Sequence, residues 1–334
     1  MRTSMKKKLL AVLCSAAMLA AAGCGSTPAA NTPASATPSS QPQASVQPTP
    51  TPEPESTTRK VSTIMGEIEV PANPERVVVN WYIGDPFTLG LNVVGYSAWA
   101  QETMPFYDKF DPAGKITNWA QEDVMALDPD LIITYSQDDF ETFSKIAPVL
   151  VIPESDVSSE ERLRIIGEAT GRSEIAEEVI KVFEEKLADA RQKFNAGAFE
   201  GKTFSIMEDW GPSGEWSGVA YETGSRGGTL VYKYLGLQKP EKLEQLIAET
   251  GKGRATLSYE IAHEYFGDYI LWFRQEGKDS EYSKTEIWKS IPAVAEGRLV
   301  EIPGLYQGLF YYDDVASLTA QLDYIVDALN QLAQ

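Results

Sequence analysis

Short β-branched runs recur in two groups along this chain of 334 residues and constrain its fold more than any other feature. The first group lies at 76–80, 92–97, 130–136 and 149–153, and the second at 203–208, 218–222, 268–273 and 298–303. Because segments that suit short helices separate these runs, each group predicts an α/β lobe. The sequence therefore predicts two similar α/β lobes, closed by an amphipathic helix within 313–332.

One helical segment lies between the two groups. Ser173 is placed to cap it, apolar residues from Ile175 to Leu187 fall near helical spacing, and Asn-Ala-Gly at 195–197 ends it. The pattern predicts one helix of about 22 residues, which is about 33 Å long at 1.5 Å per residue. The pattern alone fits either a surface helix of one domain or a helix that spans the waist between two lobes.

Residues 1–23 have the composition of a lipoprotein signal peptide. Basic residues precede an apolar stretch from Leu9 to Ala22, and small residues precede Cys24. The stretch is shorter than the about 20 apolar residues that cross a bilayer. The ending Ala-Ala-Gly-Cys resembles the bacterial lipobox, although Ala21 stands where that motif most often has Leu. We expect Cys24 to be acylated, with an ordinary signal peptide cleaved elsewhere as the alternative.

Residues 24–58 are predicted to form a disordered tether. They are rich in Pro, Ser, Thr, Ala and Gln and lack aromatic residues, so they bury too little apolar surface to offset the entropy of ordering. The prolines favour extended conformations. Such a tether holds a domain away from the extracellular face of the cell membrane, to which the lipid would be the sole attachment.

Composition argues against several classes of partner. The chain has 48 acidic and 29 basic residues, and the basic signal is lost on maturation. Nucleic acid is an unsuitable ligand, because its binding relies on basic residues at phosphates. Cys14 lies in the signal and His263 is the only histidine, so we expect no disulfide and no protein metal site. His263 is expected at the surface.

The same local pattern occurs once in each group of runs. Glu122 and Glu260 each stand near a predicted helix start, eight residues before an aspartate that leads into a strand: Asp130 and Asp268. A carboxylate at a helix N-terminus is favoured by the exposed amides there. The pattern therefore has a local explanation, and it also predicts equivalent elements in two lobes.

Five phrases in order carry a resemblance to the iron-siderophore-binding lipoproteins of ABC importers, the periplasmic-binding-protein family with a helical backbone. The resemblance extends from about Val61 to the C-terminus. The phrases are "TNWAQEDVMALDPDLIITYSQ", "TFSKIAPVLVIP", "GSRGGTLVYKYLGLQKP", "LSYEIAHEYFGDYILW" and "EIWKSIPAVAEGRLVEIP".

The resemblance implies a fold and a role. Two α/β lobes, at 59–170 and 198–334, would be joined by one long helix within 171–197, with the ligand in the cleft between them. The ligand would be an iron(III)-siderophore complex, so no further cofactor is needed. The monomeric protein would present Glu122 and Glu260 to arginines of a membrane permease, which works with a cytoplasmic ATPase.

The resemblance and the strand ends together suggest ligand-binding residues. Arg226 matches a family position whose arginine reaches the chelate. The aromatic candidates are Trp210, Tyr221, Trp81, Tyr82, Trp99, Phe310 and Tyr311. Trp216 is expected on a loop surface, and Trp272 and Trp288 are assigned to the core.

The predicted cleft segments contain Arg226 and little other positive charge, which favours a ferric hydroxamate over a trianionic ferric catecholate. Cobalamin or haem is the alternative ligand. An enzyme is disfavoured, because the single histidine and the absence of a Gly-x-Ser-x-Gly elbow remove the commonest serine hydrolase arrangements. A surface adhesin is the remaining alternative.

Overall fold

The computed structural model describes residues 57–154 and 156–332. The predicted signal peptide, Cys24 and all of the predicted tether up to residue 56 lie outside the described residues. Thr58, predicted as the last residue of the tether, is the first residue of a strand, β1 (Thr58–Thr63), which pairs antiparallel with β2 (Gly66–Pro71). This hairpin was not predicted, because only one of its side chains is buried and its sequence is largely polar.

A parallel four-stranded sheet forms the first lobe, in the order β4-β3-β5-β6. Its strands are β3 (Val77–Asn80), β4 (Val93–Ser97), β5 (Leu131–Thr134) and β6 (Val149–Val151). Every residue of β3, β5 and β6 is buried. Helices cover both faces of such a sheet, which is why these runs are continuously apolar rather than alternating.

A five-stranded mixed sheet forms the second lobe, in the order β11-β10-β7-β8-β9. Its strands are β7 (Phe204–Asp209), β8 (Val219–Glu222), β9 (Arg254–Leu257), β10 (Tyr269–Phe273) and β11 (Leu299–Ile302). The first, fourth and fifth of these run parallel, whereas β8 and β9 are antiparallel to their neighbours. All eight predicted strands are present, and β9 is an additional edge strand with a single buried residue.

Short helices connect the strands. Those before the long helix are α1 (Gly84–Thr88), α2 (Tyr107–Ala113), α3 (Gln121–Met125), α4 (Asp138–Phe143) and α5 (Ser159–Thr170). Those after the long helix are α7 (Glu241–Thr250), α8 (Tyr259–Ala262), α9 (Glu286–Ser290), α10 (Pro292–Ala295), α11 (Gln307–Tyr311) and α12 (Val315–Leu332). Single turns of 3₁₀ helix lie at Gly197–Phe199, His263–Tyr265, Tyr282–Lys284 and Gly304–Tyr306, and a π turn lies at Thr229–Tyr234.

The long helix α6 (Ser173–Phe194) joins the two lobes and has 22 residues. The expected cap was wrong: Ser173 is the first helical residue, and Arg172 before it makes no side-chain cap. Ser158 instead caps α5, where its hydroxyl accepts a hydrogen bond from the Glu161 amide at 3.1 Å. The helix α12 packs against both α5 and α6.

One hydrophobic core runs through both lobes. It contains valines of β3, aromatic residues of β7 and β10, and the buried faces of α6 and α12. Two smaller clusters cover the outer faces of the two sheets. Because the lobes share packed side chains, the fold favours small adjustments between them over a wide hinge motion. Among the described helices, none is long and apolar enough to cross a membrane.

The repeated aspartate has the same structural position in each lobe. Asp130 precedes β5 and accepts hydrogen bonds from the amides of Glu75 and Arg76, which precede β3, at 2.7 and 2.9 Å. Asp268 precedes β10 and accepts one from the Thr203 amide, which precedes β7, at 2.9 Å. Each aspartate therefore ties together the starts of two neighbouring parallel strands.

Candidate ligand cleft

A cavity of about 260 Å³ lies between the lobes. Residues of the first lobe form one wall, a turn that follows β8 forms the opposite wall, and the segment between α11 and α12 completes it. The lining residues are Trp81, Tyr82, Glu154, Arg162, Gly224, Ser225, Gly227, Thr229, Phe310, Tyr311, Tyr312, Asp313, Asp314 and Gln321.

An aromatic cluster surrounds Tyr311 at this cavity. The edges of Trp81 and Trp99 approach the Tyr311 ring at centroid distances of 5.5 and 5.8 Å, and Tyr312 lies 5.2 Å from Trp81. Trp81 follows β3 with a positive φ of 75°. Its indole donates a hydrogen bond of 2.7 Å to Glu154. The rings are tilted by 59° to 80° to one another and together offer an apolar wall to the organic part of a ligand.

Arg226 lies beside this cluster and is 7% exposed. Its guanidinium is 5.6 Å from the Tyr311 ring centroid, and its Nε is 3.3 Å from a Glu208 carboxylate oxygen. The Nη1 atom is buried and has no hydrogen-bond partner among the described residues. Arg226 is thus a buried cation that Glu208 holds in place and whose Nη1 group lacks an acceptor in the described part of the chain.

The backbone at Arg226 is unusual. Arg226 and Gly227 both have positive φ, 58° and 80°. A Cβ on Gly227 would lie 2.8 Å from the Phe310 ring, and the Gly227 amide donates a 3.0 Å hydrogen bond to the Phe310 carbonyl. Glycine is therefore required at 227 for this turn to pack against α11, and the packing fixes the position of Arg226.

Arg162 joins the two lobes at the cavity. Its Nε is 2.6 Å from Asp85, its Nη2 is 3.2 Å from Asp313, and its guanidinium lies 4.5 Å from the Tyr82 ring centroid. Burial acts to lower the pKa of Arg162, but Asp85 and Asp313 outweigh it and raise that pKa, so Arg162 stays charged.

The partner carboxylate Asp85 is fully buried. Burial raises the pKa of Asp85 to about 7, although the nearby Arg162 acts to lower it. Its second oxygen has no hydrogen-bond partner within the described ranges. Asp314 lies against Gly84, where a Cβ would clash with its carboxylate, and burial raises its pKa as well. Arg162 therefore faces an excess of carboxylates.

Five of the eight predicted ligand residues lie at the cavity or against its lining. Trp81 and Tyr311 present partly exposed rings, and Trp99 contacts Tyr311. Tyr82 and Phe310 line the cavity but are 3% and 1% exposed, so they support its walls. Tyr82 donates a hydrogen bond to the Ile152 carbonyl at 2.7 Å, and burial raises its pKa. Arg226 is the sixth predicted residue and lies just behind the lining.

The structure places Tyr221 away from the cavity, contrary to the prediction. It is 1% exposed and packs in the cluster on the outer face of the second sheet. Its hydroxyl donates to the Lys252 carbonyl at 3.0 Å. Side chains alternate along a strand, so Tyr221 points to the face opposite its neighbour Glu222.

Trp210 also lies outside the main cavity. It lines a second cavity of about 50 Å³, with Arg274 and Lys278. The Arg254 guanidinium lies 5.1 Å from its ring. Trp210 does follow the end of a strand, as predicted, because β7 ends at Asp209. The loop that begins at Trp210, however, borders the second cavity and not the cavity between the lobes. The other tryptophans lie as expected, with Trp216 59% exposed and Trp272 and Trp288 buried.

Glu122 and Glu260 occupy matching positions on the two lobes. Each is the second residue of its helix, α3 or α8, after a residue with extended backbone, and both are exposed. A hydrogen bond from the Ser258 side chain lowers the pKa of Glu260, so this carboxylate is ionised at neutral pH. The two glutamates are thus equivalent surface carboxylates.

Several cavity residues were not predicted. Tyr312, Asp313 and Asp314 follow Tyr311 directly, and the phrase "YYDD" was a signal that could have found them. Glu154 directly follows the apolar run at 149–153, so the strand-end rule could also have found it. Arg162 gave no such signal, because it lies within a helical segment and does not follow an apolar run. Within the described ranges, no group of His, Cys, Asp and Glu is arranged to hold a metal ion, and His263 is exposed.

A profile of the periplasmic binding protein family matches residues 91–305. The chain belongs to this family. It is 31% identical over 276 residues to the iron(3+)-hydroxamate-binding protein YxeB of Bacillus subtilis, covering 80% of this chain and 84% of that protein.

Solved structures of family members have the same fold. One is a periplasmic binding protein component of a Fep/Fec-like ferrichrome ABC transporter from B. subtilis, with a TM-score of 0.67, 29% identity and coverage of 80% of this chain and 98% of that one. Another is FhuD2 of Staphylococcus aureus with bound ferrioxamine B, with a TM-score of 0.66, 26% identity and coverage of 78% and 100%. The two-lobed fold predicted from the sequence is therefore confirmed.

Proposed function

We propose that this protein captures a ferric hydroxamate siderophore outside the cell and delivers it to the permease of an ABC importer. The observation that carries the proposal is the inter-lobe cavity, where the unpaired Nη1 of Arg226 lies beside the aromatic cluster around Tyr311. Iron-bound hydroxamate oxygens are acceptors for such a donor, and the rings suit the carbon chain of the chelator. The names of the related proteins support the same ligand class.

Binding can be measured by quenching of tryptophan fluorescence. We expect saturable one-to-one binding of ferrioxamine B and of ferrichrome, and weaker binding of a ferric tris-catecholate. Trp81 and Trp99 adjoin the cavity, so quenching should diminish in the Trp81→Phe variant. Tight binding of the catecholate alone would overturn the choice of hydroxamate. Cobalamin and haemin, tested in the same way, address the alternative ligands.

The proposal is a binding role rather than a catalytic one, in line with the relatives, which are named as binding proteins. A lipid on Cys24 would hold the protein at the extracellular face of the membrane. Labelling with a palmitate analogue tests this: we expect the label in the natural protein and its absence from the Cys24→Ser variant, which should be released into the medium. Label retained by that variant would contradict the anchor.

Delivery would use Glu122 and Glu260 as docking points for permease arginines. Both are exposed carboxylates on short helices of different lobes. Paired arginine and glutamate side chains give orientation as well as attraction, because a guanidinium fork matches a carboxylate. The shared core of the two lobes would keep the spacing of these two points constant.

A further inference from the structure

Glu208 is a buried carboxylate that the binding role described so far does not require. It belongs to β7 and is 5% exposed. One of its oxygens lies 3.3 Å from Nε of Arg226, and the other accepts a hydrogen bond from the Gln307 side-chain amide at 2.8 Å. Gln307 in turn donates to the Arg274 carbonyl at 3.1 Å, which fixes the orientation of its amide group. Glu208 is therefore held in place on both sides.

The pairing compensates the charge of Arg226. A guanidinium in a poorly solvated site attracts anions strongly when it is alone, and much less when a carboxylate is adjacent. Arg162, the other arginine at this cavity, also has carboxylate partners, Asp85 and Asp313. Each of these two arginines can thus contribute hydrogen bonds or packing without giving the cavity a net positive charge.

Other carboxylates at the cavity also disfavour an anionic ligand. Glu154 and Asp313 line the cavity, and Glu154 is exposed. The side chain of Asp313 is 46% exposed and shares Arg162 with Asp85. These carboxylates would repel a trianionic chelate, whereas they would not repel a neutral or cationic one.

We infer that Glu208 determines ligand charge selectivity: by pairing with Arg226, it lets the Nη1 donor serve neutral and cationic ferric hydroxamates and disfavours anionic ones. This inference rests on the proposed function. Glu208 is a positioning residue in this scheme, because it acts through Arg226 and is not in the cavity lining. A purely structural role for Glu208 predicts an equal loss of affinity for every ligand, whereas the charge role predicts a change in their ratio.

The test uses one chelate scaffold with three charges. Ferrioxamine B carries a free amine and is cationic, its N-acetyl derivative is neutral, and its N-succinyl derivative is anionic, while the iron-binding groups stay the same. Fluorescence titrations of the full mature domain would give three dissociation constants for each variant. Glu208→Gln keeps the size of the side chain and removes its charge.

We expect Glu208→Gln to raise the affinity for the anionic derivative relative to the cationic one by about fivefold. This change in the affinity ratio should be smaller at high salt, because ions screen the charges. Glu286→Gln is the matched control, because Glu286 has an 88% exposed side chain and the same charge is removed outside the cavity. Its ratios should equal those of the natural protein. The double variant Glu208→Gln/Arg226→Gln should return the ratio toward the natural value, even where its absolute affinities are lower.

The outcomes separate the two proposals. If the natural protein binds none of the three chelates, the proposed function is wrong. If it binds them but Glu208→Gln leaves the ratio unchanged, or weakens all three ligands equally, the charge role of Glu208 is wrong. A circular dichroism melting curve for each variant confirms that the compared proteins are folded. Should Glu208→Gln fail to fold, the natural protein still tests the charge role, because tighter binding of the anionic derivative than of the cationic one would contradict it.

Discussion

Tyr311 is the residue on which the aromatic side of the cavity depends. Its ring contacts Trp81 and Trp99 and lies under the Arg226 guanidinium. We expect Tyr311→Ala to weaken ferrioxamine B binding by about 1 to 2 kcal/mol, because it removes both ring packing and a cation–π contact. Tyr311→Phe keeps the ring and should bind within about 0.5 kcal/mol of the natural protein. Isothermal titration calorimetry of both variants checks this.

An equal loss in the phenylalanine variant would mean that the hydroxyl of Tyr311, rather than its ring, carries the contribution. Neither change should alter the far-ultraviolet circular dichroism spectrum, since Tyr311 is partly exposed at the cavity.

Asp85 gives the site a dependence on pH. Its folded-state pKa, raised by burial to about 7, lies above the ordinary value of 3.8. The folded protein then holds a proton that the unfolded chain releases, so this contribution to stability is complete below about pH 4 and is lost as the pH rises to about 7. The loss is up to about 4 kcal/mol for a shift of this size.

Urea unfolding at pH 5 and pH 8 tests the role of Asp85. The natural protein should lose more unfolding free energy between these pH values than the Asp85→Asn variant, in which the titrating group is absent. The difference between the two proteins cancels the contributions of other carboxylates. If both proteins show the same change with pH, Asp85 is ionised throughout and Arg162 holds its pKa down.

Residue-level prediction from strand ends was correct for Trp81 and Trp99 but misplaced Trp210, which lies at the second cavity. Trp81 was proposed because it follows a strand, and Tyr311 because it belongs to an aromatic stretch near the C-terminus. Both lie at the cavity. Tyr221 was misplaced, because one residue of register decides which face of a sheet a side chain takes. Arg162 could not be predicted as a cavity residue, because its partners Asp85 and Asp313 are distant in sequence and approach it only in the folded chain.

At the scale of elements, the paired aspartates explain part of the repeat in the sequence. Asp130 and Asp268 each accept a main-chain hydrogen bond at the start of a neighbouring strand. The expected strands were found because buried parallel strands are short, continuous apolar runs. The hairpin β1–β2 and the edge strand β9 were missed, since their stability comes from neighbours and not from their own apolar content.

We expect Asp268→Ala to lower the unfolding free energy by about 1 to 3 kcal/mol, because the Thr203 amide and hydroxyl lose their acceptor. Burial acts to raise the pKa of Asp268, but the hydrogen bonds from Thr203 and the nearby Lys202 and Arg298 lower it overall. The contribution of a carboxyl with a lowered pKa is present at neutral pH and is lost as the pH falls below about 4. The penalty of the mutation should therefore shrink at acidic pH.

Urea unfolding of Asp268→Ala at pH 7 and pH 3.5 measures this penalty. Asp279→Ala is a suitable control, because the Asp279 side chain is 80% exposed and makes a long ion pair of 3.8 Å. A penalty for Asp268→Ala no larger than that of the control would show that the strand start does not depend on the carboxylate.

At the scale of the whole molecule, the long helix and the shared core decide how the protein can work. Helix α6 was predictable from periodicity, since its buried residues recur on one face. The contact of α12 with α5 and α6 could not be predicted from the sequence. Amphipathic periodicity shows which face of a helix is buried, but it does not show which element covers that face. A core common to both lobes makes them a nearly rigid pair, so recognition by a permease would rest on fixed surface points.

Glu122 and Glu260 are the proposed surface points, and their local role can be separated from docking. A carboxylate at the start of a short helix contributes a few tenths of a kcal/mol to stability, so replacing both should change the melting temperature little. We expect Glu122→Ala/Glu260→Ala to bind ferrioxamine B with unchanged affinity and to abolish uptake of ⁵⁵Fe-ferrioxamine B in cells that depend on this protein. Each single variant should show partial loss, because one carboxylate still engages.

The matched control for the double variant is Glu178→Ala/Glu286→Ala, which removes two exposed carboxylates from other helices. It should support normal uptake, so that any loss in the first pair reflects position and not net charge. Charge reversal with Glu122→Lys/Glu260→Lys should also block uptake, because like charges would face the arginines of the permease. Normal uptake by the first double variant would leave these glutamates with only their role at the helix starts, and docking would then depend on another surface.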